Sequence, residues 1–324
     1  MNVSAPNGRK LAACAIYVIC FFISSCLAQT DTGFNSQAVV AEQRQLDLGE
    51  TRRSYLLHIP VTIAQAETEQ SWPLVILLHG GGGNGQQISE VAGLTDVAMR
   101  ENFIVAYPNG SGRFRSQLTW NAETCCAYAM TEGVDDIGYI NQLLDDALSN
   151  FPVDGNRIYL AGLSNGGMMT YRLASALNHR LAGVAIVSGA LFADQAQPDA
   201  PIPVLIVHGR EDEILPWEGG KSDRRRITAS MNQPFLAVDE AFSFWLKANG
   251  CDATAQREPK DQYTVFKGQN CNDRGTVQLV ELFAGAHAWP GGKANLSTRL
   301  RGENPEQLVS ASEMVWRFFE DKQR

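Results

Sequence analysis

The clearest indication of the fold comes from one segment, Arg157-Ile158-Tyr159-Leu160-Ala161-Gly162-Leu163-Ser164-Asn165-Gly166-Gly167. Its apolar beginning predicts a buried strand, and the residues after Ser164 predict a helix that starts at once. Glycines two positions before and two positions after Ser164 are typical of a nucleophile elbow, because side chains at those positions would collide with the turn. Such an elbow lifts the serine hydroxyl above the edge of a parallel sheet, beside a helix N-terminus. The simpler alternative is a glycine-rich turn in which Ser164 only caps the helix.

Short apolar runs and helix-length amphipathic segments alternate on both sides of this elbow, from about residue 40 onward. Continuous apolar strands separated by helices predict a mostly parallel sheet with helices on both faces. There is no internal repeat, linker or composition break after about residue 40, so the sequence predicts a single α/β domain at 45–324. Residues 29–44 are predicted to form a flexible segment before it. The predicted strands are 53–59, 74–78, 103–107, 157–161, 184–187, 204–207 and 277–283, and the predicted helices are 87–101, 135–151, 165–177, 235–248 and 306–319.

The composition excludes several classes of protein. Of the 324 residues, 44% are hydrophobic and 19% are charged, and the formal net charge is −8. These proportions are typical of a globular protein and not of a disordered, collagen-like or membrane-embedded chain. An acidic surface repels phosphate backbones, so the sequence predicts no nucleic-acid partner.

Residues 1–28 have the three-part pattern of a secretory signal peptide. Two basic residues precede an apolar run of about 13 residues, and small residues follow. The run is shorter than the roughly 20 residues that a membrane-spanning helix needs. Signal cleavage before Gln29 predicts a secreted or periplasmic protein. Alternatively, Ile23-Ser24-Ser25-Cys26 resembles a lipobox, in which a lipid on Cys26 would anchor the protein at the cell envelope.

Four of the seven cysteines follow this segment: Cys125, Cys126, Cys251 and Cys271. An even number of cysteines in an exported chain suggests disulfides, although four cysteines allow three connectivities. Cys251 and Cys271 flank a polar excursion, which favours a bond between them and leaves the adjacent Cys125 and Cys126 as a vicinal pair. No histidine stands at metal-ligand spacing from these residues, so no metal site is expected.

A serine nucleophile of this kind needs an acid and a histidine that follow it in the order Ser…Asp/Glu…His. Of the five histidines, His287 is the best candidate, because it lies in a loop after the last predicted strand. Asp212 lies just beyond the strand at 204–207, where it could accept the imidazole N–H. Its neighbours Glu211 and Glu213 are alternatives. The other histidines are at 58, 79, 179 and 208.

Two backbone N–H groups would complete a hydrolytic site by binding the oxyanion. One is that of Asn165, next to the serine, and the second is expected from the glycine-rich loop 79–85. We assign the second donor to Gly81, within one residue. The loop lacks the Lys-Ser/Thr ending of a phosphate-binding P-loop.

Aromatic side chains are the candidates for a substrate pocket. Trp120, Tyr128, Trp217 and Trp289 could stack on acyl, phenolic or sugar groups, and Trp289 lies two residues from His287. The alternative for each is a role in the core. Two acidic residues, Asp135 and Asp136, are expected to cap a helix.

Further motifs accompany these residues: Leu78–Asn84, Tyr107–Gly110, Trp120-Asn121, Cys125-Cys126, Val134-Asp135-Asp136, Gly162–Gly167, His208-Gly209 with Asp212 and Pro216, and His287–Gly291. Together they resemble the polyhydroxybutyrate depolymerase/feruloyl esterase family over about residues 45–320. The sequence departs slightly from the family pattern before His287 and before Asp212.

The resemblance implies an exported serine esterase with the α/β-hydrolase fold and no metal or organic cofactor. It implies that Ser164 is the nucleophile, Asp212 the orienting acid and His287 the base. The expected substrates are hydroxyalkanoate oligomers or feruloyl and acetyl esters of plant polysaccharides. Two alternatives are a peptidase of the same fold and a non-catalytic binding protein derived from a hydrolase.

Overall fold

A computed structural model describes residues 39–49, 51–67, 69–114, 116–294, 299 and 304–324, although the side chains of 226, 227 and 307 are not among the described atoms. The described residues belong to one compact unit. The predicted signal peptide, with Cys26 and its lipobox, lies outside them. None of the helices in the described part of the chain has the length and apolar character needed to span a membrane.

Ten strands form one large sheet, and two more form a separate hairpin. The strands are β1 Val39–Leu48, β2 Thr51–Pro60, β3 Trp72–Leu78, β4 Ile104–Pro108, β5 Ser111–Phe114, β6 Gln117–Thr119, β7 Val153–Leu163, β8 Gly183–Val187, β9 Val204–Gly209, β10 Ala255–Pro259, β11 Tyr263–Gly268 and β12 Val277–Leu282. The order in the large sheet is β1-β2-β4-β3-β7-β8-β9-β12-β11-β10, and β5 pairs with β6 in the hairpin. The six central strands, from β4 to β12 in this order, are parallel, and antiparallel pairs flank them at both edges.

Helices cover both faces of the sheet. They are α1 Val61–Ala64, α2 Gly85–Ala92, α3 Leu94–Glu101, α4 Ala127–Thr131, α5 Asp136–Asn150, α6 Asn165–Ala176, α7 Arg225–Thr228, α8 Val238–Ala248 and α9 Ala311–Phe319, with a 3₁₀ turn at Pro305–Gln307. Successive side chains of a buried strand point to opposite faces. In β3, Leu74, Ile76 and Leu78 therefore pack with α5, α6 and α8, whereas Val75 and Leu77 pack with α2, α3 and α9. The predicted single-domain α/β fold with a mostly parallel sheet is confirmed.

Three sequence-based boundaries need correction. The flexible segment predicted at 29–44 is wrong at its end, because β1 begins at Val39 and pairs along its whole length with β2. The helix predicted at 87–101 is two helices, separated at Gly93, whose φ is +71°. The helix predicted at 306–319 is a 3₁₀ turn followed by α9, which begins after the N-cap Ser310.

A disulfide closes the segment of chain that contains the antiparallel strands β10 and β11. Cys251 follows α8 and Cys271 precedes β12, and their sulfur atoms are 2.02 Å apart. This is the pairing that the sequence favours, and the bond closes the excursion that contains both edge strands. The sulfur atoms of Cys125 and Cys126 are also placed together as a vicinal pair.

Candidate active site

The turn between β7 and α6 holds Ser164 in a conformation that few residues adopt, with φ +54° and ψ −119°. The two flanking glycines are required by space. A Cβ on Gly162 would lie 2.2 Å from the carbonyl oxygen of Gly166, and a Cβ on Gly166 would lie 2.5 Å from the carbonyl oxygens of Leu78 and His79. The turn therefore has the geometry of a nucleophile elbow, and a strained residue held in place by its surroundings is common at functional sites.

Three side chains that are far apart in the sequence meet at this elbow. The Oγ of Ser164 lies 2.9 Å from Nε2 of His287. On the other side of the ring, Nδ1 of His287 lies 2.8 Å and 3.1 Å from the two carboxylate oxygens of Asp212. Since a carboxylate can only accept, Nδ1 carries the proton and Nε2 is left to accept the serine proton. The structure thus brings together the serine, histidine and acid that the sequence singled out.

Asp212 is well placed to orient the imidazole, because its side chain is fully buried and held in a fixed position. Its Oδ1 accepts hydrogen bonds from the backbone N–H groups of Ile214 at 2.9 Å and Leu215 at 2.8 Å. Burial alone would raise the pKa of Asp212, but attraction to His287 and the hydrogen bonds from His287 and from the N–H of Leu215 outweigh it and lower the pKa below its ordinary value. The neighbours Glu211 and Glu213 are exposed, which leaves Asp212 as the acid at the triad.

The glycine-rich loop after β3 lies against the same elbow. A Cβ on Gly81 would be 3.5 Å from Cβ of Asn165, and one on Gly80 would be 3.4 Å from Cβ of Ser164. The N–H groups of the next two residues are already engaged, since Gly82 donates to Leu118 and Gly83 donates to Gly80. The loop therefore presents Gly80 and Gly81 to the elbow, and Gly81 is the glycine beside Asn165.

The side chain of Asn165 connects the two sides of this site. Its Oδ1 accepts from the backbone N–H of Trp120 at 2.7 Å, and its Nδ2 donates to the carbonyl of the same residue at 3.0 Å. The indole N–H of Trp120 in turn donates to the carbonyl oxygen of His79 at 2.9 Å. We call these three residues the Asn165 clamp. It fixes the start of the glycine-rich loop relative to the helix that begins after Ser164.

His79 holds the same loop from inside the protein. Its Nδ1 donates to the carbonyl oxygen of Gly80 at 2.8 Å, and its Nε2 accepts from the backbone N–H of Gly110 at 3.0 Å. Burial lowers the pKa of His79 to about 4. The ring is therefore neutral near pH 7, with the single proton that these two bonds require.

A buried ion pair lies next to the Asn165 clamp and holds the segment that carries Trp120. Arg53 donates to Oδ1 of Asp136 at 2.7 Å, and both side chains are nearly or fully buried. The other carboxylate oxygen of Asp136 accepts from the backbone N–H of Asn121, next to Trp120. The sequence predicts that Asp135 and Asp136 cap a helix. Only Asp135 does so, by accepting from the N–H of Gly138. Asp136 instead pairs with Arg53, which is 83 residues away in the sequence, and no local pattern indicates such a contact.

The three tryptophans predicted to bind substrate are core residues, and this prediction is corrected. Each is at most 2% exposed, and each indole N–H already has an internal partner. Trp120 donates to His79, Trp217 to Asp239 and Trp289 to Ser312. Proximity in sequence to the catalytic candidates could not distinguish a pocket wall from a core side chain.

A small apolar cluster lies beside the triad, separate from the two cores that cover the sheet. It includes Met168, one turn beyond Ser164, and Leu215, three residues beyond Asp212, and Cys126 contacts Met168 with the sulfur atoms 3.8 Å apart. Ile214 and Met231 pack at its margin and are only partly buried. We call this group, made of residues 122, 125, 126, 168, 190, 192, 215 and 235 with Ile214 and Met231, the loop cluster. Within the described part of the chain, no group of three or more acidic, histidine or cysteine side chains could hold a metal ion.

The model of the family described as "Esterase PHB depolymerase" matches residues 53–217, which include the glycine-rich loop, the elbow and Asp212. The chain belongs to this family. It is therefore a carboxylic-ester hydrolase, as the motifs of the sequence indicate.

Individual known proteins share only a low sequence identity with this esterase. A Nocardia uniformis subsp. tsuyamanensis protein named "Putative esterase NocK" is 27% identical over 84% of the chain and 80% of its own length. Feruloyl esterase B of Piromyces equi is 26% identical over 69% of the chain, which spans only 41% of that larger protein. An acetyl xylan esterase from Aspergillus awamori has the same fold, with a TM-score of 0.53 and 14% identity over 81% of the chain and 98% of its own.

Proposed function

We propose that this esterase cleaves its substrate through a covalent acyl-enzyme formed on Ser164. The observation that carries the proposal is the continuous line of hydrogen bonds from Ser164 Oγ through His287 to the buried Asp212. His287 Nε2 takes the proton of the hydroxyl as Oγ attacks the ester carbonyl carbon. It then gives that proton to the alcohol oxygen as the C–O bond breaks.

The oxyanion of the tetrahedral intermediate is bound by the backbone N–H groups of Gly81 and Asn165. Two features support this assignment: Gly81 is packed against Asn165, and Asn165 is the first residue of α6, where the helix dipole favours negative charge. Water then attacks the acyl-enzyme with His287 as base, and the acid is released with Ser164 restored. Asp212 holds the imidazole in the tautomer that both steps need and stabilises the imidazolium that forms.

The acyl or aryl part of the substrate would lie against the loop cluster, on the side of Ile214 and Met231. This surface is apolar and adjoins both the helix turn after Ser164 and the segment after Asp212. We propose substrates in which an ester joins a small or aromatic acid to a larger molecule: hydroxyalkanoate oligomers, or feruloyl and acetyl esters of plant polysaccharides. The names of the feruloyl and acetyl xylan esterases above support the second group.

The test compares initial rates on methyl ferulate, acetylated xylan, a short p-nitrophenyl ester and a hydroxybutyrate oligomer. The Ser164→Ala variant is the control for each substrate, and its turnover should fall on the order of 10⁶-fold, as in other serine hydrolases. One substrate hydrolysed well above the rest would define the subtype. Hydrolysis of a peptide in preference to all four esters, or no hydrolysis of any, would contradict the proposal.

We also propose that the protein is exported, because residues 1–28 have the signal pattern described above. Mass spectrometry of the mature protein distinguishes the two forms. An N-terminus at Gln29 indicates free secretion, whereas a lipid-modified Cys26 indicates an envelope anchor. Retention of Met1 on active protein inside the cell would contradict export.

A further inference from the structure

A small cavity lies among α6, β9, α8 and the loops after β8 and β9. It is lined mostly by apolar groups, among them Ile206, Leu215 and Phe235, but two polar residues, Tyr171 and His208, also line it. The cavity has room for a water molecule. It adjoins the loop that carries Asp212, since Leu215 and Pro216 form part of its wall.

The partners of His208 determine which of its ring nitrogens carries the proton. Nε2 lies 2.8 Å from the carbonyl oxygen of Leu215, which can only accept, so Nε2 is the donor. Burial lowers the pKa of His208, and the ring is therefore neutral near pH 7. Its Nδ1 is then a lone-pair acceptor, fully buried, with no hydrogen-bond partner among the described residues.

Tyr171 provides the complementary group. Its hydroxyl is also fully buried and has no hydrogen-bond donor or acceptor within reach in the described part of the chain. The ring is stacked on Trp245, which fixes its direction. Leaving one buried polar atom unsatisfied costs about 1–3 kcal/mol, and here two such atoms, a donor and an acceptor, belong to residues of the same cavity.

We propose that this cavity binds one water molecule, which accepts a hydrogen bond from Tyr171 Oη and donates one to Nδ1 of His208. The ligand class is a small protic molecule, and water is the one that fits the available space. Because the carbonyl oxygen of Leu215 keeps the proton of His208 on Nε2, the bare Nδ1 is left to accept the hydrogen that the water donates.

The consequence for catalysis, which rests on the proposed function, is that His208 is a positioning residue for Asp212. Its Nε2–H points toward the carbonyl oxygen of Leu215. The Nε2 atom also lies 3.5 Å from Oδ2 of Asp212, which is the carboxylate oxygen nearest to His287. In the opposite tautomer, the Nε2 lone pair would face two oxygens and repel both. The water site, His208 and Asp212 thus form one chain of contacts that ends at the triad.

The water is tested without any substrate. A high-resolution crystal structure should show one ordered water between Tyr171 and His208, and the Tyr171→Phe variant should lose it. The ¹⁵N shifts of His208 should show a protonated Nε2 and a bare, hydrogen-bonded Nδ1, with the Nδ1 shift moving in the variant. A dry cavity, or a proton on Nδ1, would overturn the proposal whether or not the protein is an esterase.

Thermal unfolding gives a second test, with Tyr159→Phe as the matched control. Tyr159 is equally buried but donates to the carbonyl of Lys322, away from the triad. If Tyr171 binds a water, removal of either hydroxyl should lower the Tm, by about 2 °C or more. A Tm that rises in Tyr171→Phe would mean that the hydroxyl is unsatisfied, and would overturn the water site.

The effect on catalysis is tested with His208→Gln and His208→Asn. Glutamine can place an N–H where Nε2 stands, whereas asparagine is too short to reach that position. We expect kcat to fall at least tenfold further in the Asn variant than in the Gln variant, with KM nearly unchanged in both. Equal kcat in the two variants would overturn the positioning role, while the crystallographic result would still decide the water site.

Discussion

Asp212 shows how one residue is selected from three adjacent acids. In the run Glu211-Asp212-Glu213, only the middle side chain turns inward, and two backbone N–H groups of its own loop hold it there. Burial of a carboxylate is unfavourable unless hydrogen bonds stabilise it. The N–H groups of the loop and of His287 provide these bonds, and this explains why the pKa of Asp212 is lowered despite burial.

Replacement of this acid by an amide should have a large effect on catalysis. In Asp212→Asn the new amide can donate to Nδ1 of His287, which favours the wrong tautomer, and kcat should fall by about 10⁴-fold, as in other serine hydrolases. The measurement is kcat on a p-nitrophenyl ester. The matched control is Glu213→Gln, an exposed neighbour that should keep the wild-type rate. If Asp212→Asn stays within tenfold of wild type, Asp212 is not the orienting acid.

His79 links the site to the pH dependence of stability. Its folded-state pKa of about 4 is below the unfolded value of about 6.5, so the unfolded state binds more protons between these pH values. The free energy of unfolding should therefore fall as pH falls from 6.5 to 4, by on the order of 3 kcal/mol from this group. Urea unfolding at several pH values measures it. In the His79→Gln variant, the free energy of unfolding should depend less steeply on pH between 6.5 and 4, by up to the uptake of one proton. An unchanged dependence on pH would contradict the assignment.

Among the elements of the fold, one turn and two loops together form the proposed oxyanion-binding site. The elbow after β7 provides Ser164 and Asn165, the loop after β3 provides Gly81, and the segment after β6 provides Trp120. These come from separate parts of the chain, and the Asn165 clamp is what joins them. Preorganised N–H groups lower the barrier only if they are already in place when the oxyanion forms.

Removal of the clamp should slow the chemical step. Asn165→Ala keeps the backbone N–H but frees Trp120, and we expect kcat to fall roughly 10- to 100-fold, less than loss of an oxyanion donor would cost. KM should change little. Asn178→Ala is the matched control, because Asn178 is also buried and bonded to a backbone carbonyl, that of Ala200, but lies beyond the C-terminal end of α6, away from Ser164. Equal losses of kcat in the two variants would mean a general loss of packing and would contradict the clamp.

Sequence patterns predicted the parallel strands well and singled out the three side chains that meet at the elbow, because both inferences start from local signals. Apolar runs of β-forming residues identify buried strands, and the glycines around Ser164 are needed by local sterics. The edge strands β1 and β10 were missed since they are largely polar and exposed, with no apolar run to identify them. Strand β11 is partly buried and was missed because its apolar residues form only a short run. Trp120, Trp217 and Trp289 were misassigned because only packing distinguishes a core indole from an exposed one.

At the scale of the whole molecule, the two edges of the sheet are closed in different ways. At one edge, β1 lies against β2 and is tied to α5 by Arg44, which donates two hydrogen bonds to Asp146. At the other edge, β10 and β11 lie in the excursion closed by Cys251 and Cys271. The parallel centre that positions the site is covered on both faces and needs neither device.

Loss of this disulfide should therefore affect stability and not catalysis. A loop of this length is worth about 3 kcal/mol in the chain-entropy account, so Cys251→Ser with Cys271→Ser should lower the free energy of unfolding by about that amount. Below the unfolding transition, kcat should match the wild type. Urea unfolding and a parallel rate assay measure the two quantities. A large loss of kcat in fully folded protein would show that the excursion contributes to the site.

Covalent labelling with a fluorophosphonate, followed by peptide mapping, is the most direct test of whether Ser164 is the nucleophile. We predict one label per chain, on Ser164, with labelling abolished in Ser164→Ala and strongly slowed in His287→Ala. A label on another residue, or an unlabelled but folded protein, would contradict the assignment of Ser164 as the nucleophile.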